Sequence, residues 1–138
     1  MTPIFDQTVL GNLQILVTLF VAILFLQAGF NKVVDFKGNK AFITGYFAKT
    51  FLKSIAPALF ILIVILEVVA GILCLAGALM QFFEGMKDVS IVGLQVAALS
   101  IFCLFTGQRI AKDYAGAGGM VSYFILCILG ILLFTLKG

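Results

Sequence analysis

Residues 56–83 contain a single charged side chain, Glu67, in a run made mostly of Leu, Ile, Val, Ala, Phe and Gly. A helix needs about 20 mostly apolar residues to cross a hydrocarbon core of about 30 Å. Three other stretches meet that length, residues 10–30, 89–107 and 119–136. Inside lipid every backbone polar group must be bonded within the protein, which leaves helices or closed barrels. These runs are continuously apolar rather than alternating and are rich in Leu and Ala, so strands fit poorly. The expected fold is therefore an all-α integral membrane four-helix bundle. It forms one transmembrane domain over residues 1–138, with an interfacial segment between the first and second spans.

The polar content supports the same reading. Hydrophobic residues make up 63% of the chain and charged residues 11%, against roughly a quarter charged in a soluble domain. Lipid must cover what polar groups cannot. Nucleic acid is not an expected partner, because the basic residues sit in the connections between apolar runs, where membrane topology places them. There is no histidine, which removes the commonest metal ligand and the usual acid–base group at neutral pH. No metal site is expected. No Lys or Arg precedes the first run, the first charge is Asp6, and no small-residue cleavage site stands out. That run reads as a retained span, not a signal peptide.

The connection over residues 31–55 mixes Lys32, Lys37, Lys40, Lys49 and Lys53 with Phe36, Phe42, Tyr46, Phe47 and Phe51. Lysine interleaved with aromatics suits the headgroup zone and predicts a short interfacial helix over residues 40–52. Pro57 fits the first turn of the second span. The connection over residues 84–88 is a tight turn. The one over residues 108–118 carries Arg109, Lys112 and Asp113 ahead of a Gly/Ala run. Seven of the nine Lys and Arg residues fall in the first and third connections, and only Lys87 and Lys137 lie elsewhere. Excess positive charge stays in the cytoplasm, so both termini are expected outside. Ala70, Cys74 and Ala78, and Gly93 with Ala97, are small residues at four-residue spacing that let helices approach closely.

Gly29-Phe30-Asn31-Lys32, then Asp35-Phe36, an aromatic-rich connection through Tyr46-Phe47, Pro57, Glu67, and Gly71 and Gly77 form an ordered pattern. With the stretch Gln108-Arg109-Ile110-Ala111-Lys112-Asp113-Tyr114-Ala115-Gly116, it resembles the DoxX family of small four-span membrane proteins over nearly the whole chain. That resemblance implies a multi-pass protein, expected in a bacterial inner membrane. It also implies a link to membrane-associated oxidoreductase assemblies, since founding members of the family are membrane subunits associated with thiosulfate:quinone oxidoreductase. There is no Cys-x-x-Cys and no soluble catalytic domain here, so an enzyme activity does not follow from the family likeness.

Glu67 is the residue most in need of explanation. A charged side chain at the bilayer centre costs roughly 2.5–3.5 kcal/mol on insertion scales, and desolvation there favours the neutral, protonated carboxyl. It can serve as a proton-accepting or head-group-binding residue, facing for instance a quinone carbonyl, or as polar glue between helices. With spans centred on one another, Thr18, Gln95, Ser100 and Tyr123 fall within roughly 6 Å of its depth, and Gln27 about 10 Å towards the cytoplasm. Gln95 and Tyr123 are the expected partners. Gln27, Asn31, Lys32 and Asp35 cluster at the end of the first span, with Arg109 and Asp113 at the same membrane surface. Arg109 and Asp113, four apart, can pair along a helix end. Together the six form a candidate polar pocket under the aromatic connection, unless Lys32 and Arg109 simply anchor helix ends on headgroups. Cys74, Cys103 and Cys127 are on different spans at different depths, and read as buried small apolar residues with neither disulfide nor metal between them.

Three functions fit these features. One is a non-catalytic membrane subunit or anchor of a larger, redox-linked complex or homo-oligomer; if redox-linked, it would be a quinone-associated oxidoreductase subunit rather than an enzyme on its own. A second is a quinone- or lipid-binding protein using Glu67. Its signature would be a lipid-accessible cleft reaching that residue. The third is a small-solute transporter, for which no inverted repeat or broken helix is visible. No cofactor is required by the sequence, and quinone is the one that would fit.

Overall fold

The computed structural model describes residues 7–136, so Asp6 and Lys137 of the charge count lie outside it. The described residues form α1 (Gln7–Val34), α2 (Phe36–Tyr46), α3 (Ala56–Glu84), α4 (Asp88–Ile110) and α5 (Tyr114–Leu133), with a 3-10 turn at Lys53–Ile55. They contain no strand. The protein is thus an all-α helical bundle, and α1, α3, α4 and α5 are long and apolar enough to cross a membrane. Large apolar side chains such as Leu16, Phe20, Ile23, Ile72 and Phe82 are exposed along them, as lipid-facing residues must be.

Local chemistry sets the ends of these helices. Pro57 lies in the first turn of α3, where its missing N–H is not needed. That helix stops at Gly85, whose φ of 71° only a residue without Cβ adopts freely. The Gly85 and Met86 N–H groups then return to the Gln81 and Met80 carbonyls. Asp35 caps α2 by accepting the Gly38 N–H at 3.3 Å, and Asp113 caps α5 by accepting the Gly116 N–H at 3.0 Å.

The spans differ from the sequence-predicted ones mainly at their ends. The predicted connection over 108–118 shrinks to a three-residue turn, because Gln108 and Arg109 continue α4 and the Asp113 cap starts α5 ahead of the glycines. The interfacial helix lies at Phe36–Tyr46 rather than residues 40–52. The Asp35 cap, not the aromatic pattern, fixes its start.

Glycines fix how the spans lie against one another. A Cβ on Gly77 would stand 2.5 Å from the Ser90 backbone nitrogen, and one on Gly93 would stand 2.9 Å from the Cys74 nitrogen. The α3 and α4 backbones therefore touch in an antiparallel seam. Similarly, a Cβ on Gly29 would meet Val68 and one on Gly71 would meet Leu26, each at 2.9 Å. That second register sets the last turn of α1 beside the middle of α3, so α1 ends well short of where α3 begins. Helix α2 fills part of the remaining space. Its Phe36 ring packs on Phe60 of α3 with centroids 5.2 Å apart, and the Phe47 ring just beyond its end lies against Gly107 of α4.

At the other end the amides of Gln14 and Gln81 pair, Gln81 Nε2 donating to Gln14 Oε1 at 2.7 Å. Gln14 Nε2 in turn donates to the Leu133 carbonyl at 2.9 Å. Three helices are thereby tied together where α1 begins and α5 ends. Gly77→Ala should destabilise the bundle by about 1–3 kcal/mol, the usual penalty for overpacking. Gly11→Ala, where a Cβ meets nothing within 4 Å, should be neutral or slightly stabilising. Thermal unfolding of the two variants in one detergent compares them directly.

Candidate functional site

The register of α1 on α3 brings Lys32 to Glu67. Lys32 Nζ donates to Glu67 Oε2 at 3.0 Å, with the glutamate side chain 2% exposed and the lysine 23%. A carboxylate buried among apolar helices is covered here by a neighbouring cation. This corrects the expected partners: Gln95 is exposed on α4, Tyr123 is half-buried against the core, and neither is bonded to Glu67. It also corrects the depth assigned to Gln27. The sequence reading centred the spans on one another, whereas α1 is displaced along α3. With Leu26 on Gly71 and Gly29 on Val68, Gln27 lies beyond Glu67 towards the chain termini.

The polar pocket expected from Gln27, Asn31, Lys32, Asp35, Arg109 and Asp113 does not assemble as one group. Gln27 and Asn31 are exposed, and Asp35 is occupied as the α2 cap. Arg109 lies over the Tyr114 ring, 4.5 Å from its centroid, rather than on Asp113. The reason is local: α4 ends at Ile110, so Arg109 and Asp113 are not on one helix. Only Lys32 and Asp113 join a shared space. It is a cavity of about 500 Å³ under the end of α1, walled by α2, α3 and α4. Ligand pockets commonly run from about 300 to 1,000 Å³.

Its walls are mostly apolar. Phe42, Ile43, Tyr46 and Phe47 come from α2 and its end, Leu59, Phe60, Leu62 and Ile63 from α3, and Phe102, Cys103, Leu104 and Gly107 from α4. Lys32 closes one end, and Tyr46, Gln108 and Asp113 stand at the other. Leu62 of α3 and Phe102 of α4, both on its lining, are also about half exposed on the outer surface.

Tyr46 donates to Asp113 Oδ2 at 2.7 Å, clasping α2 to the turn before α5. The Tyr46 hydroxyl and the Gly116 N–H hold the Asp113 carboxyl below the ordinary aspartate value. Burial, with the Asp113 hydrogen bond and charge, pushes the Tyr46 hydroxyl well up.

Sequence reasoning found Glu67, Lys32 and Asp113 but paired none of them correctly, and it passed over Tyr46 and Gln108 as site residues. The signal for the first pair was there. Glu67 is the only acid inside a span, and Lys32 is the basic residue continuous with a neighbouring apolar run. Cys74 and Cys127 are buried in one core cluster as free thiols, as small apolar residues would be. Cys103 departs from that expectation, being half-buried on the cavity wall.

Four buried side-chain atoms have no hydrogen-bond partner among the described residues: Gln81 Oε1, Ser90 Oγ, Ser100 Oγ and Gln108 Oε1. The chain matches no protein-family model, no curated protein and no solved structure.

Lys32→Met should destabilise more than Glu67→Gln, because it strands a fully buried acid, at about 3–5 kcal/mol for a broken buried pair. After Glu67→Gln the lysine can still reach into the cavity. The double variant should recover most of the loss in thermal unfolding.

The clasp has its own pH dependence. A carboxyl that titrates lower in the folded protein contributes fully above the ordinary aspartate value and loses its contribution as acid protonates it. A hydroxyl raised in the fold contributes fully below the ordinary tyrosine value and loses that contribution as the pH climbs from there through the raised value. Protection of α2 amides from hydrogen exchange, corrected for intrinsic rates, should therefore hold from neutral to mildly alkaline pH and fall in acid. Tyr46→Phe should remove that fall.

Proposed function

We propose that this protein is a DoxX-like membrane protein that takes a quinone-class amphiphile from the bilayer into the cavity beneath α1. One observation carries the reading: a largely apolar space of about 500 Å³, with Leu62 and Phe102 of its lining exposed on the outer surface, includes a lysine already paired with a buried glutamate. An apolar ring and tail suit such walls. Lys32 has three donors, of which Glu67 takes one. The pair carries no net charge, so a neutral carbonyl is a better match than an anionic head.

On this reading the basic end of the molecule, with α2 and the α4–α5 turn, faces the cytoplasm of a bacterial inner membrane, by the distribution of Lys and Arg. The protein supplies a lipid-soluble ligand or its environment to a redox-linked assembly and carries no reaction of its own. The anchor reading draws support from α5, the least buried of the four spanning helices. Its outer face, with Val121, Ile125, Leu129 and Leu132 exposed, is free for a neighbouring membrane subunit.

The test is purification from native membranes in mild detergent, with mass spectrometry of bound lipids and proteins. A retained quinone that is lost on Cys103→Phe, which fills the cavity from its wall, supports the binding reading. An empty cavity with a stoichiometric protein partner supports the anchor alone.

A further inference from the structure

Gln27 and Gln95 are exposed on the outer faces of α1 and α4, and neither side chain makes a hydrogen bond among the described residues. Their depths follow from the two glycine registers. Antiparallel packing that sets Leu26 on Gly71 and Gly29 on Val68 puts Gln27 level with Ala70. Packing that sets Gly93 on Cys74 and Ser90 on Gly77 puts Gln95 level with Ile72. Two residues along a helix are about 3 Å, so the two amides lie at nearly one depth, beside the middle of α3. Each membrane surface is about 15 Å away, half of the hydrocarbon core and beyond the reach of a glutamine side chain. Asn12 and Asn31, also exposed, lie within two turns of the ends of α1. Of the exposed hydroxyls on the spans, Thr106 donates to the Phe102 carbonyl of its own helix, and Ser122 is short enough to do the same. An amide on a longer side chain, with two N–H donors and a carbonyl acceptor, needs a polar partner from another helix.

The arrangement names that partner. Helices α1 and α4 each pack on α3 and on α5 and touch each other little. They therefore stand at opposite corners of the bundle, with outer faces pointing away from each other. Both are antiparallel to α3, so they run in the same direction. Copies of one protein share depth and orientation in a membrane, so the α1 face of one copy can pair polar groups with the α4 face of the next only if those groups are level. Here they are. With the glutamines side by side, Ile23 stands next to Val92 and Phe30 next to Leu99, all four about half exposed or more. An amide is also the electrical complement of another amide, its positive N–H edge meeting a negative carbonyl. The chain already uses that pairing internally, between Gln14 and Gln81.

We propose that Gln27 of one copy pairs with Gln95 of a second copy, joining α1 to α4 in a head-to-tail oligomer within the membrane plane. Such a contact repeats from copy to copy and closes into a ring where the rotation allows. The flanking apolar side chains supply the packing, and the amide pair fixes the register, as a single polar residue does in a helix seam. The assembly is independent of the cavity reading above.

The test is self-association in lipid bilayers, read as energy transfer between donor- and acceptor-labelled copies while the protein is diluted in lipid. Gln27→Leu and Gln95→Leu should each weaken association by about tenfold, the worth of two hydrogen bonds between helices in a membrane. Ser122→Leu, on the outer face of α5, should leave it unchanged. None of the three should lower the thermal unfolding temperature, because none of these side chains bonds within its own chain. A second arm keeps both glutamines in place. Ile23→Cys mixed with Val92→Cys should form cross-linked dimers, and neither variant alone should exceed the wild type, whose three cysteines remain. A monomer at every dilution overturns the proposal, whether lipid or a different protein then covers the glutamines. Association that both leucine variants retain overturns the amide pair as its basis. Cross-linking of either cysteine variant with itself overturns the head-to-tail geometry.

Discussion

A carboxylate among apolar helices has to be compensated, and in this bundle the compensation sets the architecture around it. Lys32 can reach Glu67 only if the last turn of α1 lies beside the middle of α3. With α1 spent at that depth, nothing continues it along the first turns of α3 and the last turns of α4. The chain turns at Asp35, and α2 crosses from Phe60 of α3 to Gly107 of α4. The cavity is what that crossing encloses. The ion pair and the cavity are thus two consequences of one helix register.

Away from the cavity the helices are closely packed. Along the α3–α4 seam the small residues Ala70, Cys74, Gly77, Gly93 and Ala97 bring the backbones together. Lacking a hydrophobic driving force in lipid, such helices associate through close packing and interhelical hydrogen bonds. Both devices are present, glycine contact in the middle and amide pairing at one end. Lys32, the partner of Glu67, is on the cavity lining.

Much of the fold was legible from residue type alone. Four apolar runs gave four spans within a few residues of their ends, and Pro57 was read correctly as a first-turn residue. The candidate site was legible as a set of residues and not as a set of contacts. Glu67 declares itself because an acid in an apolar run is rare and costly. Lys32 was placed in a polar pocket at the membrane surface, or on headgroups there, because it lies just past Phe30, and nothing local distinguishes a lysine that snorkels outward from one that folds back on an acid.

Composition and run length by themselves determined that this chain lives in a bilayer as helices, since its apolar runs are too long and too continuous for the strands of a barrel. They also determined that one buried acid would need a partner. The tertiary structure decided which partner, because helix register is a sliding coordinate: glycine contacts at Gly29 and Gly71, spread over two helices far apart in sequence, fix it to a single value. From that value follow the Lys32–Glu67 pair, the crossing of α2, the Tyr46–Asp113 clasp and the space they enclose.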